Sequence, residues 1–331
     1  MADSSTTEKI GLVIQGPLVS RGRTGISEKS IDFDCSEYVA KQYALGKSLG
    51  FEVVLATWDT NFPPQNLGIP DVDILIYENE SFLKSLNIYD PLNQRGNKYR
   101  QFFLTYMGAS ILDQRDCGYI LKIRTDQEVD LLSFKNFVEA GEPEEGALAF
   151  PYWHFEYPNY PNDFYFAGKS KVIINFLNIM LNSREMHANV HLDIFYKWVH
   201  NSQKTMFGFT SGMIWWLSYF PKMGSLNPTQ LRVVENAWST CFQTLPSDMW
   251  LNLKWRGVPN EYPIKNKDQI FSSMEISREE LSRVSESKGL NLDLKEAVGW
   301  LLGMRIRFIL IKVEAGFLRL IGFFKGIKLD D

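Results

Sequence analysis

The 331-residue sequence predicts an α/β protein built on a doubly wound, mixed sheet with a C-terminal helical region. Three observations predict it. Residues 10–14 and 119–123 are almost continuous apolar runs, the pattern of central strands buried on both faces. The elements up to residue 130 alternate as β-α-β-β-α-β, a Rossmann-like half-sheet. Three strand ends collect polar groups, Gln15/Gly16, Thr57/Asp59 and Arg124/Asp126, at the edge where open α/β sheets hold ligands.

The first strand, Ile-Gly-Leu-Val-Ile, runs into Gln15-Gly16-Pro17, where Gly16 permits close backbone approach and Pro17 stops the strand. A basic loop at residues 21–25 follows, suited either to phosphate or to solvent. Residues 27–49 read as a helix closed by Gly50. A second strand, 52–58, ends in Thr57-Trp58-Asp59, and a short third strand spans 73–77. A helix then begins near Lys98, with Phe102, Phe103, Tyr106, Met107 and Ile111 as its buried face. Arg100 near its start opposes the helix dipole, so it either meets an anion or covers aromatic neighbours.

The fourth strand carries the densest charge. After residues 119–123 come Arg124, Asp126, Glu128 and Asp130. Side chains two apart on a strand share a face, so Asp126 and Glu128 can share a divalent cation if the strand persists. The alternative is a charged loop in which Arg124 and Asp126 pair with each other.

Beyond residue 130 the pattern predicts a helix at 131–140 and a strand at 147–150. Residues 151–161 hold six aromatic or imidazole side chains broken by prolines, suited to a sugar-stacking platform or to core. Asp163 opens the next strand and either touches a ligand or only initiates it. Residues 170–216 read as mostly helical, and 229–245 as a further helix. Pro246-Ser247-Asp248 opens a short helix, with Ser247 or Asp248 as cap. His187 and His191 lack the Glu of a metalloprotease motif, which disfavours zinc.

Composition narrows the function class. Hydrophobic residues make up 45% and charged residues 22%, as in a folded domain. A net charge of −4 argues against a nucleic-acid partner. Cys35, Cys117 and Cys241 form no C-x-x-C and point to a reducing compartment. Neither G-x-G-x-x-G after the first strand nor G-x-x-x-x-G-K-[ST] occurs, against dinucleotide dehydrogenases and P-loop NTPases. Residues 298–331 carry a net +3 and an apolar stripe from Leu302 to Phe324 flanked by Lys and Arg. That pattern suits a helix lying in a membrane interface, or one packed on the domain or a twin subunit.

Ile14-Gln15-Gly16-Pro17, Val53-Val54-x-x-Thr57-Trp58, Asn97-x-x-Arg100-Gln101 and Leu121-Lys122-Ile123-Arg124-Thr125-Asp126 resemble the WavE-type proteins of bacterial lipopolysaccharide and capsule synthesis. The likeness covers residues 9–130 well and the later half loosely. It implies a GT-A-like glycosyltransferase domain at 1–270, with a nucleotide-sugar half at 9–130 and an acceptor half at 147–270. Residues 271–331 are then a C-terminal helical, membrane-associating extension. The implied donor contacts are Gln15, Gly16, Pro17, Thr57, Trp58, Asp59, Arg100, Lys122, Arg124, Thr125 and Asp126. Asp126, with Glu128, is the implied Mg or Mn site. Arg124-Thr125-Asp126 departs from the usual Asp-x-Asp, so Arg124 or Lys122 can supply the positive charge instead. Ser247-Asp248 resembles the acidic helix start that provides a catalytic base, making Asp248 the candidate, with Asp163 and Asp193 as rivals. The expected reaction is an inverting sugar transfer from a nucleotide sugar to a lipid-linked surface glycan, at the cytoplasmic face of the inner membrane. The alternatives are a sugar-phosphate nucleotidyltransferase and a non-catalytic partner of a membrane glycan-assembly complex.

Overall fold

A computed structural model of the chain describes residues 8–23, 30–58, 67–76, 95–151, 161, 163–182, 190–202 and 240–259. The extension at 271–331, Asp59, the aromatic run at 152–160, Thr24 and Gly25 of the basic loop, and His187 lie outside the described residues.

The centre is a seven-stranded mixed sheet. Its strands are β1 (Ile10–Gln15), β4 (Glu52–Thr57), β5 (Ile74–Ile76), β6 (Tyr119–Arg124), β8 (Leu148–Phe150), β9 (Phe166–Lys169) and β10 (Phe242–Thr244). They lie in the order β10-β8-β9-β6-β1-β4-β5. β1 pairs parallel with both β4 and β6, and β4 pairs parallel with β5. Only β9 is reversed, antiparallel to β6 and β8. Counted within this sheet alone, and read from the β5 edge, the order is 3-2-1-4-6-5-7. The sheet is therefore α/β and mostly parallel.

Helices cover both faces, which explains the near-continuous apolar strands. Val13, Val54, Ala56, Ile120 and Phe166 face a core shared with α2 (Arg95–Gln114), α4 (Ser170–Asn182) and α5 (Val190–Ser202). Leu12, Ile14, Val53, Leu55, Leu121 and Ile123 face the opposite core, shared with α1 (Ser36–Ser48), α3 (Leu131–Glu139) and α6 (Ser247–Leu251). The period of two along each strand sorts them.

α2 sets the geometry at one edge. An added Cβ at Gly108 would lie 2.9 Å from Val13, and one at Gly11 would lie 2.9 Å from Leu112. Four helical residues, about 6 Å, match two strand residues, about 6.6 Å. Stepping back four residues from Gly108 therefore brings Leu104, in the third turn of α2, to the level of Gln15, and the first two turns reach beyond the strand ends. The small Gly108 and Ala109 meet the sheet, and the buried face is Tyr99, Phe102, Leu104, Ala109 and Leu112. That face is rotated from the expected one, which followed the large aromatics rather than the small residues that allow close approach. α2 also begins at Arg95, so Arg100 stands in its second turn, not at its start.

Several other expectations are corrected. The basic loop and the start of the long first helix form a hairpin of β2 (Val19–Arg23) and β3 (Ser30–Asp34). Ser-Ile-Asp-Phe-Asp alternates with period two, and Asp34 Oδ1 accepts the Ser36 amide at 2.9 Å, so the helix starts only at Ser36. Residues 242–244 are a strand pairing with β8, not helix. The helix at Ser247–Leu251 has Pro246 at its N-cap, and neither Ser247 nor Asp248 caps it through a side chain. The fourth strand does not persist to Glu128. It stops at Arg124, turns at Thr125-Asp126 and continues as β7 (Gln127–Glu128) in a separate sheet with β11 (Lys254–Trp255) and β12 (Val258–Pro259). No helix among the described residues is long and apolar enough to cross a membrane.

Candidate functional site

The sheet has one topological switch point. From β1 the chain winds outward through β4 and β5, then returns to lay β6 on the other side of β1. The two crossovers part at the carboxyl ends of β1 and β6, the position at which open α/β sheets bind ligands. Gln15 and Arg124 sit side by side in register at that point. The Thr125 amide donates to the Gln15 carbonyl at 3.1 Å, and Thr125 Oγ1 donates to the Pro17 carbonyl at 2.6 Å. Gly16 has φ +144° and would bring a Cβ within 2.5 Å of Thr125 Oγ1, so only glycine lets the two strand ends close like this.

Asp126 is the anchor of the switch point, at 1% exposure. Arg124 grips it in a fork, Nε to Oδ1 and Nη2 to Oδ2, both at 2.9 Å. Oδ2 also accepts from Ser20 Oγ at 2.8 Å, Arg256 Nε at 3.0 Å and Trp255 Nε1 at 3.1 Å. The Asp126 carbonyl accepts the Arg256 amide at 2.9 Å. Burial alone would raise the pKa of this carboxyl, but Arg124, Arg256 and the Ser20 hydroxyl outweigh it and pull it to about 2. Charge-assisted fork bonds of this kind are geometrically specific.

Lys122 is fully buried on β6, over the Phe166 ring at 5.3 Å, with Nζ 3.3 Å from the Asp163 carbonyl. Burial pushes the ammonium down to about 7; Asp163 and Asp126 pull the other way, while Arg124 adds repulsion. Asp163 lies just before β9, and its Oδ1 is 3.6 Å from His191 Nδ1. Burial raises its pKa, yet His191, Lys122 and Arg124 together hold it below the usual carboxylate range. His191 Nδ1 also lies 2.8 Å from the Pro161 carbonyl. Three cations and two acids thus gather at the carboxyl ends of β1 and β6.

The sequence-predicted residues divide as follows. Gln15, Gly16, Pro17, Lys122, Arg124, Thr125 and Asp126 come together at the switch point. Thr57 ends β4 and is fully buried, while Trp58 is half-buried against the α2 side of the core. Arg100 projects from the second turn of α2. Asp248 is exposed on α6, whose Trp250 stacks on Phe164 at 5.9 Å, one residue from Asp163. The side chain of Asp193 lies outside the described residues.

A divalent cation does not fit the donor set as it stands. Glu128 turns away from Asp126 and places Oε1 2.6 Å from Lys41 and 3.2 Å from Lys254. Both oxygens of Asp126 already carry donors, two of them guanidinium groups. A cation there would displace Arg124 and then face its charge. Among the described residues no group of three metal-ligating side chains converges.

Sequence reasoning missed Ser20, Trp255 and Arg256. The signal was present in Lys254-Trp255-Arg256-Gly257-Val258, a two-residue hairpin tip. Arg256 and Gly257 have φ of +50° and +81°, and such turns favour Asn-Gly or Asp-Gly. An arginine in the left-handed region is uncommon, and here its amide and Nε are both spent on Asp126.

Comparison with protein-family models and with curated protein sequences found no match.

Proposed function

We propose that the protein is a glycosyltransferase of GT-A-like architecture, taking its sugar from a nucleoside-diphosphate donor. One observation supports this reading: Gln15, Gly16, Pro17, Lys122, Arg124, Thr125 and Asp126, seven of the eleven expected donor residues, lie together at the switch point between β1 and β6. The reversed β9 within an otherwise parallel order supports a GT-A-like sheet over a simple dinucleotide-binding one. Three cations around two acids suit a diphosphate.

In the proposed reaction an acceptor hydroxyl oxygen bonds to the anomeric carbon of the donor sugar. The bond from that carbon to the diphosphate oxygen breaks, and its electron pair leaves with the nucleoside diphosphate. The hydroxyl proton passes to a carboxylate. Asp248 is the proposed base because it is exposed, whereas Asp163 is engaged near His191 and Lys122. The α6 helix meets the residue next to Asp163 through Trp250 and Phe164. The acceptor is a surface glycan of the lipopolysaccharide or capsule class, lipid-linked, met at the cytoplasmic face of the membrane through the C-terminal stripe.

The test is to incubate the full chain with nucleotide sugars and a lipid-linked glycan extract. Release of nucleoside diphosphate with sugar incorporation is the expected result. Release of pyrophosphate from a nucleoside triphosphate and a sugar phosphate would overturn it in favour of a nucleotidyltransferase. Loss of transfer in Asp248→Asn, with donor binding intact, is expected if Asp248 is the base.

A further inference from the structure

We propose that the donor diphosphate is held by the guanidinium of Arg124, locked in place by Asp126, and not by a metal ion. The inference rests on the glycosyltransferase reading and deepens it.

Four observations lead there. Asp126 is the acid that a metal would need, yet it carries five side-chain hydrogen bonds from Ser20, Arg124, Trp255 and Arg256. The nearest acid in sequence, Glu128, belongs to another sheet and to two lysines. Arg124 is 27% exposed at the end of β6, so the one cation of the cluster that reaches solvent does so at the switch point. Arg256, at 8% exposure, and Lys122, at 0%, stand behind it. The arrangement is a buried carboxylate aiming a guanidinium outward, with further positive charge beneath.

This geometry does a metal's electrostatic work with fixed groups. Charge develops on the diphosphate as the bond to the sugar breaks, and a preorganised cation there lowers the barrier without reorganising. Asp126 neutralises part of the positive charge, but it removes the rotamer freedom that would otherwise cost Arg124 part of its binding. Arg124 is the contacting group; Asp126 acts through it as a positioning residue. Arg256 shares Asp126 Oδ2 with Arg124, Nε at 3.0 Å, and is a second fixed partner of the carboxylate.

The experiment is calorimetric titration of the full chain with UDP, GDP, CDP and ADP, in excess EDTA and then with Mn or Mg. At least one diphosphate is expected to bind in EDTA with affinity within about twofold of its value in Mn. Arg124→Ala is expected to weaken that binding by about 10- to 100-fold, and Arg124→Lys by less. Asp126→Asn is expected to weaken it in the wild-type background and to add little on top of Arg124→Ala, a coupling that mere loss of stability would not produce. Binding that appears only with Mn or Mg overturns the inference and leaves the glycosyltransferase reading standing. Binding in EDTA that is indifferent to both Arg124 variants also overturns it. A chain that binds none of the four diphosphates in any condition overturns the donor reading itself, and this inference with it.

Discussion

The two edges of the central sheet carry similar charges in different surroundings. At the amino edge Lys9, Lys47 and Arg115 meet Glu52 and Asp73. At the carboxyl edge Lys122, Arg124 and Arg256 meet Asp126 and Asp163. Each of these two clusters sets three basic residues against two acids. At the amino edge the lysines are 40–45% exposed and Arg115 is 22% exposed. At the carboxyl edge only Arg124 has comparable contact with water. An amino-edge excess of charge is screened by solvent; a carboxyl-edge excess is held in a low-dielectric site and is available to an anion. Asp73 shows the structural version of the motif: it takes Tyr43 Oη at 2.6 Å and Arg115 Nη1 at 2.7 Å, and it ties the start of β5 to α1 and to the end of α2. Asp126 shows a version in which one bound cation also faces out.

The comparison is broken or sharpened most strongly by deleting its two acids. Asp126→Ala leaves the buried Arg256 without its carboxylate beside the part-exposed Arg124 and is expected to cost about 3–5 kcal/mol in urea unfolding. Asp73→Ala is expected to cost less, about 1–3 kcal/mol, because Arg115 keeps Glu52 at 3.3 Å and has water. Equal losses would erase the distinction between the edges.

Lys122→Met comes next. The native pKa of about 7 lies below the ordinary 10.5, so the unfolded chain holds more protons between those values. The penalty is absent above about pH 10.5, grows as pH falls and is complete below about pH 7. Lys122→Met is expected to stabilise the protein at pH 7 by about 1–4 kcal/mol and to flatten the rise in stability from pH 7 to 10. A variant with unchanged pH dependence would show that the ammonium is not held out of water.

Acid titration gives a smaller effect. Asp126 has a native pKa of about 2 against an ordinary 3.8, so its contribution is complete above about pH 4 and is lost as pH falls through 2. The size is about 2 kcal/mol. Asp126→Asn is expected to remove that segment of the acid-unfolding curve. The smallest change is Lys41→Ala: its partner Glu128 also has Lys254, and the Lys41 side chain is 52% exposed, so a loss under about 1 kcal/mol is expected in the same urea assay.

Much of this was legible in the chain itself. The apolar runs at 10–14 and 119–123 mark the central strands, and the polar residues Gln15, Thr57 and Arg124 mark where they end, because two-sided burial leaves a strong local pattern. The Arg124–Asp126 pair was legible as one of two alternatives. The pairing of 19–23 with 30–34 has a weak local signal, since Ser-Ile-Asp-Phe-Asp is too short to outweigh its helical neighbours. Arg256 escaped because its role depends on a contact with Asp126 130 residues away, which no local period encodes.

That separation bears on how the molecule is made. Ser20 and Arg256 lie 236 positions apart and both meet Asp126, so the cluster stays incomplete until nearly the whole described chain has been synthesised. The parallel strands β1, β4 and β6 can pair long before that, but the carboxylate among them then holds Arg124 and Ser20 alone. A nascent chain halted short of Trp255 would have its central sheet and an Asp126 missing two of its four side-chain partners, Trp255 and Arg256.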